Sequence, residues 1–299
     1  MPNHAHHTHD HSHAAAGSIR VAFFLNLAFT IVELFGGLWT NSVAILSGAV
    51  HDLGDSLSLG TAWYLEHLSR REGDRRFSYG YRRFSVLGAL INTIVLLVGS
   101  LYILSQAVPR LMAPEHTNAE GMIGFAVVGV LVNGLAVYRL RGHSSLNVSV
   151  VAWHLLEDVL GWVAVLVVGI TLKFSDLHIL DPILSILITL YILFNVVRKL
   201  KSALSVFLQA VPEGVEIAAL ESAIKRLDGV CSVHHTHVWS LDGEHHVLST
   251  HVVVDQAASK DDGARIKEAI RGITAQYKLE HTTVEIEYEG DGCSMDRPA

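Results

Sequence analysis

The chain has 299 residues, of which 50% are hydrophobic and 17% charged, with a mean hydropathy of +0.37 and a formal net charge of -7 at neutral pH. That is greasier and less charged than the soluble average and points to a membrane protein, while no basic run is large enough to neutralise many phosphates, which excludes nucleic-acid binding. Cys231 and Cys293 form neither a disulfide framework nor a CxxC metal motif.

The chain opens on NHAHHTHDHSH, with His4, His6, His7, His9, His11 and His13 around Asp10. An expression tag would be an uninterrupted run. Interleaving with Ala, Thr, Asp and Ser instead suggests a natural, disordered, metal-collecting tail over residues 1–17. With no apolar core ahead of a small-residue cleavage site, this segment is not a signal peptide.

Six apolar runs follow, at about residues 19–39, 42–65, 84–108, 121–138, 148–174 and 182–197. They are measured against the ~20 residues needed to cross ~30 Å of hydrocarbon. The second and fifth are the poorest on hydropathy because they carry ionisable residues. The connection after the second holds Arg70, Arg71, Arg75, Arg76, Arg82 and Arg83, that after the fourth Arg139 and Arg141, and Arg198, Lys199 and Lys201 follow the sixth. The opposite connections are nearly free of positive charge, holding only Arg110 and Lys173. The positive-inside rule therefore predicts both termini on the cytoplasmic side and a transmembrane domain over residues 18–208.

After Pro212 the character changes to a charged, water-soluble pattern. Residues 216–227 read as a helix, with Ile217, Leu220, Ile224 and Leu227 on one stripe. Residues 230–241 and 245–254 read as strands around Asp242-Gly243-Glu244, residues 260–277 as a second amphipathic helix and 282–288 as a third strand. The expected domain is αββαβ over residues 209–290, followed by a disordered tail at 291–299. Strand alternation puts His235 and His237 on one face and His234 on the other, with His251 on the next strand.

The chemistry lies in the apolar runs. A charge at mid-bilayer costs at least about 2.5–3.5 kcal/mol, so such residues face a cavity or a partner. His51 and Asp55 are four apart, one turn from each other on one helix face, and WHLLEDVLG repeats the spacing with His154 and Asp158. Two facing helices would bring two imidazoles and two carboxylates to one point, a tetrahedral set suited to zinc and, less selectively, to cobalt or cadmium. A single pair is weak, since it is as readily an interhelical hydrogen bond; the repeat favours a shared metal site. Asp52 and Glu157 lie about 100° off that face and read as orienting or cavity-lining groups. Glu33, Asn92 and Asn133 read as interhelical hydrogen-bonding residues, with contact to the site as the alternative.

SVAILSGAVHDLGDSLSLG, HLLEDVLGWVAVLV, the DPILSILI opening of the last run, six spans and the αββαβ domain together resemble the cation diffusion facilitator family, in particular its bacterial zinc, cobalt and cadmium exporters. The resemblance covers nearly the whole chain. It implies a six-helix membrane domain of the bacterial inner membrane, with His51, Asp55, His154 and Asp158 in the transport-site positions; His as the first of these is similar to zinc-preferring members. It also implies metal/proton antiport by a homodimer in lipid, with zinc as substrate and regulatory ligand and no nucleotide. The terminal domain is then a ferredoxin-like, metallochaperone-type module with His234, His237, His251, His281 and Glu287 as candidate ligands, and Glu280 in place of His281 if the last strand shifts by one.

The chain departs from the family in three places. The connection EHLSRREGDRRFSYGYRR has Arg or Tyr where some members bind metal, so no site is expected there despite His67 and Asp74, and Ser85 and Gln209 are neutral where many members are acidic. Two other classes compete. A membrane metal hydrolase would need an open coordination position and a base such as Glu157, and two matched HxxxD pairs would close a four-ligand site instead. A non-transporting zinc sensor leaves the ligands inside the spans unexplained.

Overall fold

A computed structural model describes residues 10–69, 73–140 and 146–293; the side chains of several helical residues in these stretches, among them His11, His13, His67 and His154, lie outside the described set. The fold divides into two compact units, one of residues 1–66 and 88–200, the other of residues 67–87 and 201–299.

The first unit is built from long helices: α1 (Asp10–Thr40), α2 (Val43–Ser69), α3 (Arg83–Met112), α4 (Ala119–Leu140), α5 (Leu146–Phe174) and α6 (Leu180–Phe207). Helix α1 begins at Asp10, inside the segment expected to be disordered. Among the described residues, five helices contain stretches long and apolar enough to cross a membrane, Phe23–Thr40, Arg83–Met112, Ala119–Tyr138, Leu155–Phe174 and Leu180–Phe207. Helix α2 has the length, 27 residues, but His51, Asp52 and Asp55 interrupt its hydropathy. Side chains such as Phe35, Leu38, Leu101, Leu131, Leu135 and Phe194 stand more than half exposed around these helices, a surface suited to lipid rather than water. Helices answer the bilayer's demand that every backbone group be bonded internally.

The interior joins α2, α4 and α5 through Ala44, Ile45, Met122, Ala126, Trp162 and Val165, with Phe29 of α1 and Leu184 of α6 packed against them. Helix α4 approaches α5 closely because position 129 is glycine: a Cβ there would lie 2.2 Å from Trp162 Cδ2. On the other side of α2, Val43 packs with Ile103 and Ala107 of α3.

The start of α2 is held from another helix. Asp181, in the first turn of α6 and fully buried, accepts hydrogen bonds from Ser42 Oγ at 2.5 Å, Val43 N at 2.8 Å and Ala44 N at 3.4 Å. The N–H groups of Val43 and Ala44 are orphan donors of a helix N-terminus, where a carboxylate also meets the positive end of the helix dipole. Ser47 Oγ and Thr189 Oγ1, 2.8 Å apart, tie the same two helices one turn further on.

The second unit contains α7 (Ile217–Lys225), β1 (Val230–Ser240), β2 (His246–Val254), α8 (Lys260–Thr274) and β3 (Leu279–Tyr288), the expected αββαβ order. The sheet order is β1-β2-β3, with β1 antiparallel and β3 parallel to β2. Parallel pairing requires a crossover, and α8 supplies it, packing Ile266 and Ile270 with Leu220 and Ile224 of α7 over Leu248 and Val252. Ser259 and Asp262 form a capping box that starts α8. Strand β3 begins at Leu279 rather than at residue 282, because Leu279 already pairs with His246.

Candidate metal centres

In the helical unit, α2 presents His51, Asp52 and Asp55 and α5 presents Glu157 and Asp158. His51 Nε2 stands 3.6 Å from Asp55 Oδ2 on its own helix and 3.8 Å from Asp158 Oδ1 across the helix interface. One ligand atom each from His51, Asp52 and Asp158 lie within 4.8 Å of one another. His154 occupies α5 one turn before Asp158, and its side chain lies outside the described residues.

Asp52 is closer to this point than the helical-wheel reading suggests. A 100° offset separates side chains by direction, but short carboxylates on a helix facing a cavity converge on it. That cavity, about 370 Å³, is lined by Glu33, His51, Asp52, Glu157, Asp158 and Tyr191 among others. Glu157 is exposed and accepts a hydrogen bond from Tyr191 Oη of α6 at 3.3 Å. The backbone of α2 is steadied by Asn26 Nδ2, which donates to Asp52 O at 3.0 Å and Ser56 Oγ at 3.1 Å.

Glu33 of α1 is only 2% exposed and sits within hydrogen-bonding range of Asp52. It lines the site cavity and also a second one, near Trp39, Asn118, Gly121 and Trp162. Of the asparagines expected between helices, Asn92 donates to Ser58 Oγ at 2.6 Å, whereas Asn133 bonds Gly129 O of its own helix at 3.1 Å. Asp181, Asn26 and Tyr191 were not singled out from sequence as neighbours of the site; only the DPILSILI motif pointed near the first.

In the second unit the sheet breaks its own alternation. His235 adopts a positive φ of 48°, and the β1–β2 register shifts between His234 and His237, a β-bulge that re-aims the side chains around it. As a result His234 and His235 both turn toward His251, with ring centroids 5.4 and 5.3 Å away, instead of pointing to opposite faces. Glu287 of β3 bridges the group: Oε1 is 2.8 Å from His251 Nδ1 and Oε2 is 3.0 Å from His234 Nε2. His234, His251, Glu287 and Cys293 bring one ligand atom each to within 4.8 Å of one another. Burial works to raise the Glu287 carboxyl, but hydrogen bonds from His251 and Cys293 and the charges of His234 and His251 hold it below the usual carboxylate range.

The remaining candidates sit elsewhere. His237 is exposed, beside Gln209, Trp239 and Ser249. His281 is exposed with its ring 5.3 Å from that of Tyr79, and Glu280 pairs with Arg82. Asp74 builds its loop, accepting from Arg76 N and Phe77 N at 2.7 Å each and from Tyr81 Oη at 2.7 Å. The six histidines of the N-terminal tail lie outside what can be described of side chains.

Residues 19–208 match the cation efflux transmembrane domain and residues 212–289 the cytoplasmic domain of cation efflux proteins. The metal cation efflux system protein CzcD of Cupriavidus metallidurans is 33% identical over 94% of this chain and 89% of its own. The zinc transporter ZitB of Escherichia coli is 32% identical over 96% of both chains. A cadmium, cobalt and zinc/H(+)-K(+) antiporter of Bacillus subtilis is 28% identical over 94% of this chain and 92% of its own.

Proposed function

We propose, since the chain belongs to the cation efflux family of secondary active transporters, called here the cation diffusion facilitators, that it exports zinc, and with it cadmium and cobalt, from the bacterial cytoplasm across the inner membrane in exchange for protons. Both halves of the chain match transporter domains, so the site is one of transport rather than hydrolysis. Six helices cross the membrane in this reading, α2 included, with both termini cytoplasmic. The chain divides into the tail at 1–17, the transport domain at 18–208, the cytoplasmic domain at 209–290 and the end at 291–299. The protein works as a homodimer through its cytoplasmic domain.

The observation that carries this reading is His51 Nε2 lying 3.6 Å from Asp55 Oδ2 of its own helix and 3.8 Å from Asp158 Oδ1 of another, with His51 and Asp158 lining one cavity. With His154 these residues make an N/O set of the kind zinc takes. Asp52 and Glu157 flank it as orienting groups. Imidazole and carboxylate bind metal only when deprotonated, so metal and protons compete for the same side chains. Exposing the set alternately to each face, with α2 and α5 moving against their neighbours, converts that competition into antiport.

The test is zinc uptake into inside-out vesicles carrying an inward-directed metal gradient and an outward-directed proton gradient, acid inside. Asp55→Ala is expected to abolish uptake and the accompanying proton release; unchanged uptake overturns the assignment of the site. Running zinc, cadmium, cobalt and manganese in parallel gives the selectivity, with manganese expected to be poorest, since a borderline imidazole pair favours the borderline and soft ions.

A further inference from the structure

Beyond the expected histidines, the cytoplasmic cluster contains a sulfur. Cys293 follows the last strand and falls in a segment whose composition suggested disorder, yet the chain turns back there. Gly290 takes a φ of +96°, a conformation an L side chain rarely adopts, and Asp291 N donates to Tyr288 O at 3.0 Å. The turn delivers Cys293 Sγ to 3.7 Å from His251 Nδ1, and its thiol hydrogen-bonds Glu287.

We propose that Cys293 is a metal ligand, completing with His234, His251 and Glu287 a four-ligand, sulfur-containing site on the cytoplasmic sheet that takes zinc and, more tightly, cadmium. Ligand atoms around a tetrahedral zinc with bonds of about 2.0–2.3 Å lie roughly 3.3–3.8 Å apart, and the spacings in the cluster, 2.8 to 3.7 Å between bonded neighbours, are already close to that. His234 Nε2 is buried and, though 3.0 Å from Glu287, makes no hydrogen bond in the described structure. His251 is held on its far side, Nε2 standing 3.3 Å from Glu285 Oε2, the carboxylate support that orients ligating imidazoles. Four protein ligands leave no open position, so the site holds its metal structurally rather than passing it on, and thiolate in place of water shifts its preference toward softer ions. Cys231, the other cysteine, is exposed and outside the cluster.

The proposal rests on the transport reading only in placing this domain in the reducing cytoplasm, and its test reads binding rather than flux. Cadmium added to the purified full-length protein under reducing conditions is followed by sulfur-to-cadmium charge-transfer absorption in the near ultraviolet. The membrane site has no sulfur, so the band reports this cluster alone. Wild type and Cys231→Ser are expected to show it, as is His51→Ala, which removes the transport site. Cys293→Ser should lose the band and weaken cadmium binding here at least about tenfold, since even removing a group that only orients a ligand costs about 10–100-fold. Cys293→His, which restores a ligand without sulfur, should recover most of the affinity without the band. A band persisting in Cys293→Ser, its absence from wild type, or unchanged cadmium affinity in Cys293→Ser overturns the proposal, whatever the transport assay gives.

Discussion

Asp181 shows how far a single residue can act from the chemistry it supports. Its carboxylate touches neither His51 nor Asp158, yet it accepts from Ser42, Val43 and Ala44 and so fixes where α2 begins, two turns before His51. Hydrogen bonds to a buried charge are the strong ones, and removing the acceptor leaves buried backbone donors without partners at a cost of about 1–3 kcal/mol. Asp181→Ala is therefore expected to lower the thermal unfolding temperature in detergent and to raise amide exchange in the first turn of α2. Transport should fall in rate while zinc affinity changes little, because the ligands themselves remain. Ser42→Ala removes one bond of the same set and should reproduce a smaller fraction of the effect. In the sequence this role was invisible: the partners are about 140 positions apart in the chain, and nothing local distinguishes a capping aspartate from a helix-starting one.

At the scale of elements, what was legible followed from periodicity and what was not followed from long-range geometry. Strand β1, strand β2 and helix α8 carry their own signals in alternation, in the Asp242-Gly243 turn and in amphipathic spacing, and their limits differ from the expected ones by a few residues. The bulge at His235 carries no such signal, so strict alternation separated His234 from His235, whose rings both lie near His251. Cys293 belongs to no spacing motif and becomes a candidate only through a turn after β3. In the helical unit the HxxxD repeat was readable because it is local to each helix; the convergence of Asp52 and Glu33 on the same cavity is a property of the bundle. Two predictions belong here. Gly129→Val would drive a side chain into Trp162 and is expected to cost about 1–3 kcal/mol and to slow transport, with Trp162→Ala in the same chain restoring part of both. The Asp242 turn should be acid-sensitive: although burial opposes it, the N–H groups of His245 and Glu244 and the His245 ring hold its carboxyl below the usual value. A depressed folded value contributes stability that is present above the ordinary aspartate pKa of about 3.9 and is lost as pH falls through the folded one. Protection factors for the β1–β2 amides should accordingly drop below that pH in wild type, and Asp242→Asn should show lower protection above it and a flatter acid limb.

For the molecule as a whole, the question is how a scarce ion reaches a site set inside the membrane domain. The chain's net charge of -7 attracts cations without choosing among them. Selective capture needs imidazole, and six histidines stand in the first thirteen residues. We propose that they hold metal weakly and so raise its effective concentration near the transport site, without adding a step to the cycle. Such a store matters only while free metal is limiting. Deleting residues 1–13 is therefore expected to raise the zinc concentration for half-maximal flux severalfold in proteoliposomes, leaving the maximal rate and the effect of Asp55→Ala unchanged. Replacing the six histidines by serine in the full-length chain should give the same shift, which separates loss of imidazole from loss of chain. A fall in maximal rate would instead place the tail in the transport cycle itself, and equal flux at low zinc would leave it without a role in metal capture.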